Sequence, residues 1–146
     1  MKTAKEISEY LLEKTAAALL AGDFEAFTPF FRLPHFIATS EQKTVLNTLE
    51  DMRVVFNRVV QDYTRKQITD LVRICDVAEY RTETRIEATH TTHMMSGNQR
   101  IGDPFPSFSV LELVDGRWVV TSSQYAVDKT TTVGRALSTT TVQQPK

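Results

Sequence analysis

The sequence predicts an α+β domain: a continuous antiparallel sheet in the C-terminal half, covered on one face by helices that precede it. Three observations predict it. From Thr82 to Val127 polar and apolar residues alternate in long runs, and strand side chains point to opposite faces every second residue. Asp115-Gly116 interrupts the alternation just before a run that opens at Trp118, a strong hairpin signal. Upstream, apolar residues recur at steps of three and four, the helical period.

In chain order, Thr3 and Glu6 have the spacing of a capping box and predict a helix start. Ile7, Tyr10, Leu11, Ala17, Ala18 and Ala21 form its apolar face, and Gly22 ends it. Asp23 is placed to cap a second, shorter helix carrying Phe24, Phe27, Phe30 and Phe31, broken by Pro29 and closed by Pro34. That aromatic cluster is either a core plug or the wall of an apolar ligand cavity. A short hairpin is expected from Phe36 to Asn47. Thr48 and Asp51 then mark a third helix with a tight stripe of Leu49, Met52, Phe56, Val59 and Tyr63, and a solvated opposite face of Glu50, Arg53, Asn57, Arg58 and Gln61. Four strands follow, at Asp70 to Tyr80, Arg85 to Met95, Phe105 to Val114 and Arg117 to Val127, with Ser96-Gly97-Asn98 supplying turn chemistry. The domain is expected to occupy 1–127. Beyond it, 128–146 reads as a loosely packed polar tail, with one turn around Val133 to Leu137.

Composition narrows the function classes. At 146 residues, 41% hydrophobic and 24% charged, the chain suits one domain with its own core. A formal net charge of −1 gives no excess of base for phosphate backbones, so nucleic acid is not an expected partner. Cys75 is the only cysteine, which excludes an internal disulfide framework and fits a reducing, cytoplasmic setting. It lies in the apolar run Leu71 to Val77 and reads as a packing thiol. No stretch approaches the roughly 20 apolar residues of a membrane span, and Glu6, Glu9 and Glu13 interrupt the start where a signal peptide would be apolar. Neither a phosphate-binding glycine loop nor another cofactor fingerprint occurs, so no cofactor is expected.

The element order, Gly22-Asp23-Phe24-Glu25-Ala26-Phe27 between the first helices and Asp115-Gly116-Arg117-Trp118 before the last strand resemble the nuclear transport factor 2-like (NTF2-like) superfamily, including its SnoaL-like branch. The resemblance spans roughly residues 3 to 127. It implies a cone in which a curved, mixed or antiparallel sheet wraps around three N-terminal helices and leaves a pocket at the open end. It also implies a homodimer through the outer sheet face. The tyrosine and two aspartates of the superfamily's ketosteroid isomerases would fall on Thr15, near Ala38 or Thr39, and near Ser109 or Val110. None of the three groups is present, which argues against that chemistry, whereas the late-strand aromatic position holds Tyr125.

Candidate site residues then come from groups that the alternation turns inward. In Arg85 to Met95, Ile86, Ala88, His90, Thr92 and Met94 form the more apolar face, so His90 is placed inside and His93 outside. Opposite faces rule against a shared metal, and no metal site is expected. An ordinary imidazole pKa near 6.5 would make His90 a usable acid-base group, and a hydrogen-bonded core histidine is the competing reading. His35 reads as a rim or loop residue. Arg73 and Glu112 each interrupt an apolar strand, either inward as a pair or polar-ligand site, or outward as a salt bridge. The expected pocket is lined by Phe27, Phe30, Phe31, Tyr63, His90 and Tyr125. The expected function is binding of a small hydrophobic or amphipathic molecule. The alternatives are a dehydratase, isomerase or cyclase using His90, and a non-catalytic protein-interaction module.

Overall fold

The computed structural model describes residues 2–128 and 130–137. Helix α1 (Ala4–Ala21) starts where the capping box predicts: Glu6 N–H donates to Thr3 Oγ1 at 3.1 Å and Thr3 N–H to Glu6 Oε1 at 3.2 Å. It stops at Gly22, whose φ of +66° lies in the left-handed region that glycine enters without a Cβ penalty. Its buried face is rotated from the expected one. Ile7, Ser8, Leu11, Leu12, Thr15 and Ala18 face inward, whereas Tyr10, Ala17 and Ala21 are exposed, because the helix turns two hydroxyls toward the sheet.

Asp23 caps α2 (Phe24–Phe27), accepting from Ala26 N–H at 3.1 Å. This helix is shorter than expected. Pro29, which has no N–H to donate, sits in the first positions of a single 3₁₀ turn (Thr28–Phe30) that leads straight into strand β1 (Phe31–Ala38). Phe31 is therefore a strand residue. Strand β2 (Lys43–Leu46) completes the hairpin. Thr48 and Asp51 form a second capping box at the start of α3 (Leu49–Arg65), with Asp51 N–H donating to Thr48 Oγ1 at 3.0 Å. Thr48→Ala is expected to lower folding stability by about 1 kcal/mol, read as a lower urea midpoint at unchanged slope. The apolar stripe of α3 begins at Met52 and not at Leu49, which is 57% exposed.

Strands β3 (Asp70–Thr82), β4 (Arg85–Ser96), β6 (Phe105–Val114) and β7 (Arg117–Tyr125) form the expected meander, with a two-residue β5 (Gln99–Arg100) folded back on β4. Asp115 and Gly116, both at positive φ, turn β6 into β7. The seven-stranded sheet runs β2-β1-β7-β6-β4-β3, with β5 beside β4. All pairings are antiparallel except β1 with β7, which makes the sheet mixed. Register shifts between Cys75 and Val77 and between Val110 and Leu111 bend the strands, so the sheet curves without closing.

Two apolar clusters fill the concave side. One joins α3 to Phe24, Ile37, Leu46, Met94 and Phe105; the other packs Ala4, Ile7 and Leu11 of α1 on Ile86, Ala88, Leu111 and Val120. Phe31 touches both. The polar stretch after 127 is not uniformly loose. It supplies helix α4 (Thr132–Leu137), whose Val133, Ala136 and Leu137, at helical spacing, are buried against the first cluster. Residues 138–146 of that stretch lie outside the described residues. No described helix is long and apolar enough to cross a membrane.

Candidate functional site

The helices and sheet enclose a cavity of about 80 Å³. Its walls are apolar: Phe27 from α2, Phe31 and Ile37 from β1, and Met52, Val55, Phe56 and Val59 from one side of α3. Val133 and Leu137 of α4 complete it. Thr15, Phe31, Arg73 and Tyr125 also border an adjoining cavity of about 30 Å³, where Ser8, His90, Ser109 and Ser123 supply a polar lining. The cone thus has an apolar body and a polar end.

Of the expected site residues, Phe27, Phe31, Tyr63 and Tyr125 line the larger cavity and His90 the smaller. Phe30 lines neither. The 3₁₀ turn swings its ring onto α1, where it meets Tyr10 edge-on with centroids 6.3 Å apart. The phenylalanines that do reach the cavity are interlocked, with Phe27 4.3 Å from Phe31 and 4.8 Å from Phe56 between ring centroids.

Arg73 and Glu112 separate. Glu112 lies on the convex face opposite Arg85, 3.9 Å from its guanidinium. Arg73 points into the cone, where Nη1 donates to Thr15 Oγ1 at 2.8 Å and to the Leu12 carbonyl at 3.2 Å. Thr15 in turn donates to the Leu11 carbonyl at 2.8 Å, so its hydroxyl is oriented to accept from the guanidinium. Among the described residues no carboxylate comes within 4.0 Å of Arg73. Burial holds its pKa below the usual guanidinium value, opposed by the facing Tyr125 and Tyr63. Burial also pushes the Tyr63 phenol up, so it stays protonated.

His90 is inward and 3% exposed, and His93 lies on the other face of β4. Burial, and then the charge of Arg73, push the His90 pKa down to about 3. The imidazole is consequently neutral at pH 7 and a poor proton acceptor there, which removes the ordinary-pKa argument for acid-base chemistry. Nor is it a satisfied core histidine, because Nε2 has no hydrogen-bond partner among the described residues. His35, expected at a rim or in a loop, is a buried strand residue. It is 2% exposed, lines the larger cavity, lies 3.4 Å from Ser123 Oγ through Nε2, and is pushed by burial to about 4. Its signal was the alternation of Phe31, Leu33, His35 and Ile37 on one face, obscured by Pro34. Among the described residues no group of three metal-ligating side chains is assembled.

No protein-family profile and no curated protein matches the sequence. Solved structures do match in shape. An NTF-2-like protein of unknown function from Shewanella oneidensis superposes with a TM-score of 0.65 at 13% identity, covering 84% of this chain and 98% of that one. A domain of unknown function with a cystatin-like fold from Nostoc punctiforme gives 0.65 at 15% identity over 88% of this chain and 80% of that one. An NTF-2-like protein of unknown function from Silicibacter pomeroyi gives 0.61 at 16% identity over 84% and 94%. Identities this low speak to the arrangement of helices and strands alone, and on that arrangement the chain has the NTF2-like fold.

Proposed function

We propose that the protein binds a small, mainly apolar molecule inside the cone and acts as a binding protein, not as an acid-base enzyme. The observation that carries this reading is the cavity itself: apolar walls from helices and strands alike, with polar groups gathered at one end. This is the layout of ligand sites in general. A volume of about 80 Å³ is well under the roughly 300 Å³ at which drug-sized sites begin, which selects a compact ligand. The low basicity that burial and Arg73 give His90 argues against this ring as the acid-base group of the enzyme alternative.

The test is thermal stability in the presence of one-ring aromatic probes, with native mass spectrometry of the protein as purified. A probe at 100 times its dissociation constant stabilises the folded state by about 2.7 kcal/mol. Val55→Phe, which adds volume inside the cavity, is expected to abolish that response while keeping the fold. A wild-type protein that carries no retained mass and responds to no probe would overturn the proposal, as would an undiminished response in the variant. Within the fold, the two sequence signatures favour the SnoaL-like branch. The exposed Val72, Ile74 and Val77 on β3 support a homodimer through the outer sheet face, and the same mass spectrum reads it as twice the chain mass.

A further inference from the structure

Granted a ligand in the cone, we infer that it is an organic monocarboxylate: a compact apolar body in the larger cavity, with its carboxylate at the polar end against Arg73 and His90. The sign of the charge comes from Arg73. Arginine stays protonated, so the cone holds a cation, and neither cavity is lined by an aspartate or glutamate. Among the described residues its hydrogen-bond partners are a hydroxyl and a main-chain carbonyl, both on Nη1. They orient the guanidinium without neutralising it, and a half-buried charge with no counter-ion is costly to keep. The facing Tyr63 and Tyr125 bring phenols, not carboxylates, and burial keeps Tyr63 protonated.

The second observation is independent. His90 borders the same small cavity as Arg73, is 3% exposed, and leaves Nε2 without a partner among the described residues. As the Nε2–H tautomer it donates to a ligand oxygen. A cation with free N–H groups and a neutral imidazole N–H together offer donors to an acceptor-rich, negatively charged group. Carboxylate geometry suits the planar guanidinium fork. One charge matches one charge, whereas a phosphate dianion would bring a second with no cation to meet it. The apolar walls select an organic body over a small inorganic anion.

The experiment compares benzoate and isovalerate with their uncharged counterparts, benzyl alcohol and isoamyl alcohol, by calorimetric titration at pH 7. The acids are expected to bind at least tenfold more tightly than the alcohols. In Arg73→Met that preference is expected to vanish, the affinity for the acids falling to that for the alcohols. The variant is expected to fold, with a melting temperature at or above wild type, because it removes an unpaired charge. Should it not fold, Arg73→Lys keeps the charge and loses the fork, and is expected to weaken acids selectively. Alcohols binding as tightly as acids, or acids unaffected by Arg73→Met, would overturn the inference and leave the apolar binding site standing. Binding of neither set would overturn both.

Discussion

Between about pH 6.5 and pH 4.5 the protein is expected to lose folding stability at up to about 2.7 kcal/mol per pH unit, roughly 1.4 from each of two buried histidines. His35 and His90 titrate near 4 and near 3 in the folded state, against about 6.5 when unfolded. Both shifts run downward, so the unfolded chain binds protons that the native cone refuses. The contribution is fully present above pH 6.5 and drains away as the pH falls toward the folded values. The charged or titratable groups lining the cavities beside these rings are Arg73, Tyr63 and Tyr125, and none supplies a negative charge in this range. Glu6, Glu87 and Asp128 at the surface are also held below their ordinary values, but their contributions fade only below about pH 4.5, leaving the upper window to the histidines. Urea titrations at pH 7, 6 and 5 measure the slope. His35→Gln and His90→Gln are each expected to remove about half of it, and a slope that neither variant changes would contradict the assignment.

Phe56→Ala is expected to cost about 3–5 kcal/mol. The ring is 3% exposed, meets Phe24 edge-on with centroids 5.3 Å apart, and leans on Phe27. Phe24 is in turn covered by the Arg53 guanidinium, 4.2 Å above its ring, so the neighbours are held from several sides and have little freedom to collapse into the space. Phe56 is also a cavity wall, so the space left behind adds to the existing void. Toluene is therefore expected to bind the variant more tightly than the parent and to return part of the lost stability. Phe36→Ala is the control. Phe36 is 48% exposed on β1, and its removal is expected to change stability by no more than about 0.5 kcal/mol. Equal losses for the two variants would mean that the aromatic cluster is not part of the core.

Local chemistry was the legible part of this molecule. Capping boxes, the left-handed Gly22 and the Asp115-Gly116 turn each depend on a few neighbouring residues, and the helix starts and the last hairpin fall where those residues put them. His90 was assigned inward correctly because β4 has one clearly more apolar face. Arg73 was not assignable in the same way. In β3 Leu71 and Cys75 alternate with Val72 and Ile74, so both faces read as apolar, and only the pairing with β4 decides which is the inside. The strand positions of Phe31 and His35 were hidden for a different reason: Pro34 reads as a terminator, yet it occupies an exposed strand position. The turn expected around Val133 to Leu137 is α4, but six residues carry too little pattern to show that it docks on the core, and that helix exists by packing, not by propensity.

The one parallel pairing sets the order in which the sheet can be assembled. Hairpins β3-β4 and β6-β7 join strands adjacent or nearly adjacent in the chain, but β1 meets β7, and Ser40 Oγ reaches the Val127 carbonyl 87 positions away. The β1-β2 hairpin has no other neighbour in the sheet. Until β7 is in place it remains an isolated two-stranded piece, marginal in water, and the cone stays open along that side. High contact order of this kind slows folding, because a long loop must close before its contacts reward it. During synthesis the early strands therefore wait for the last one, and the cavity takes shape only at the end.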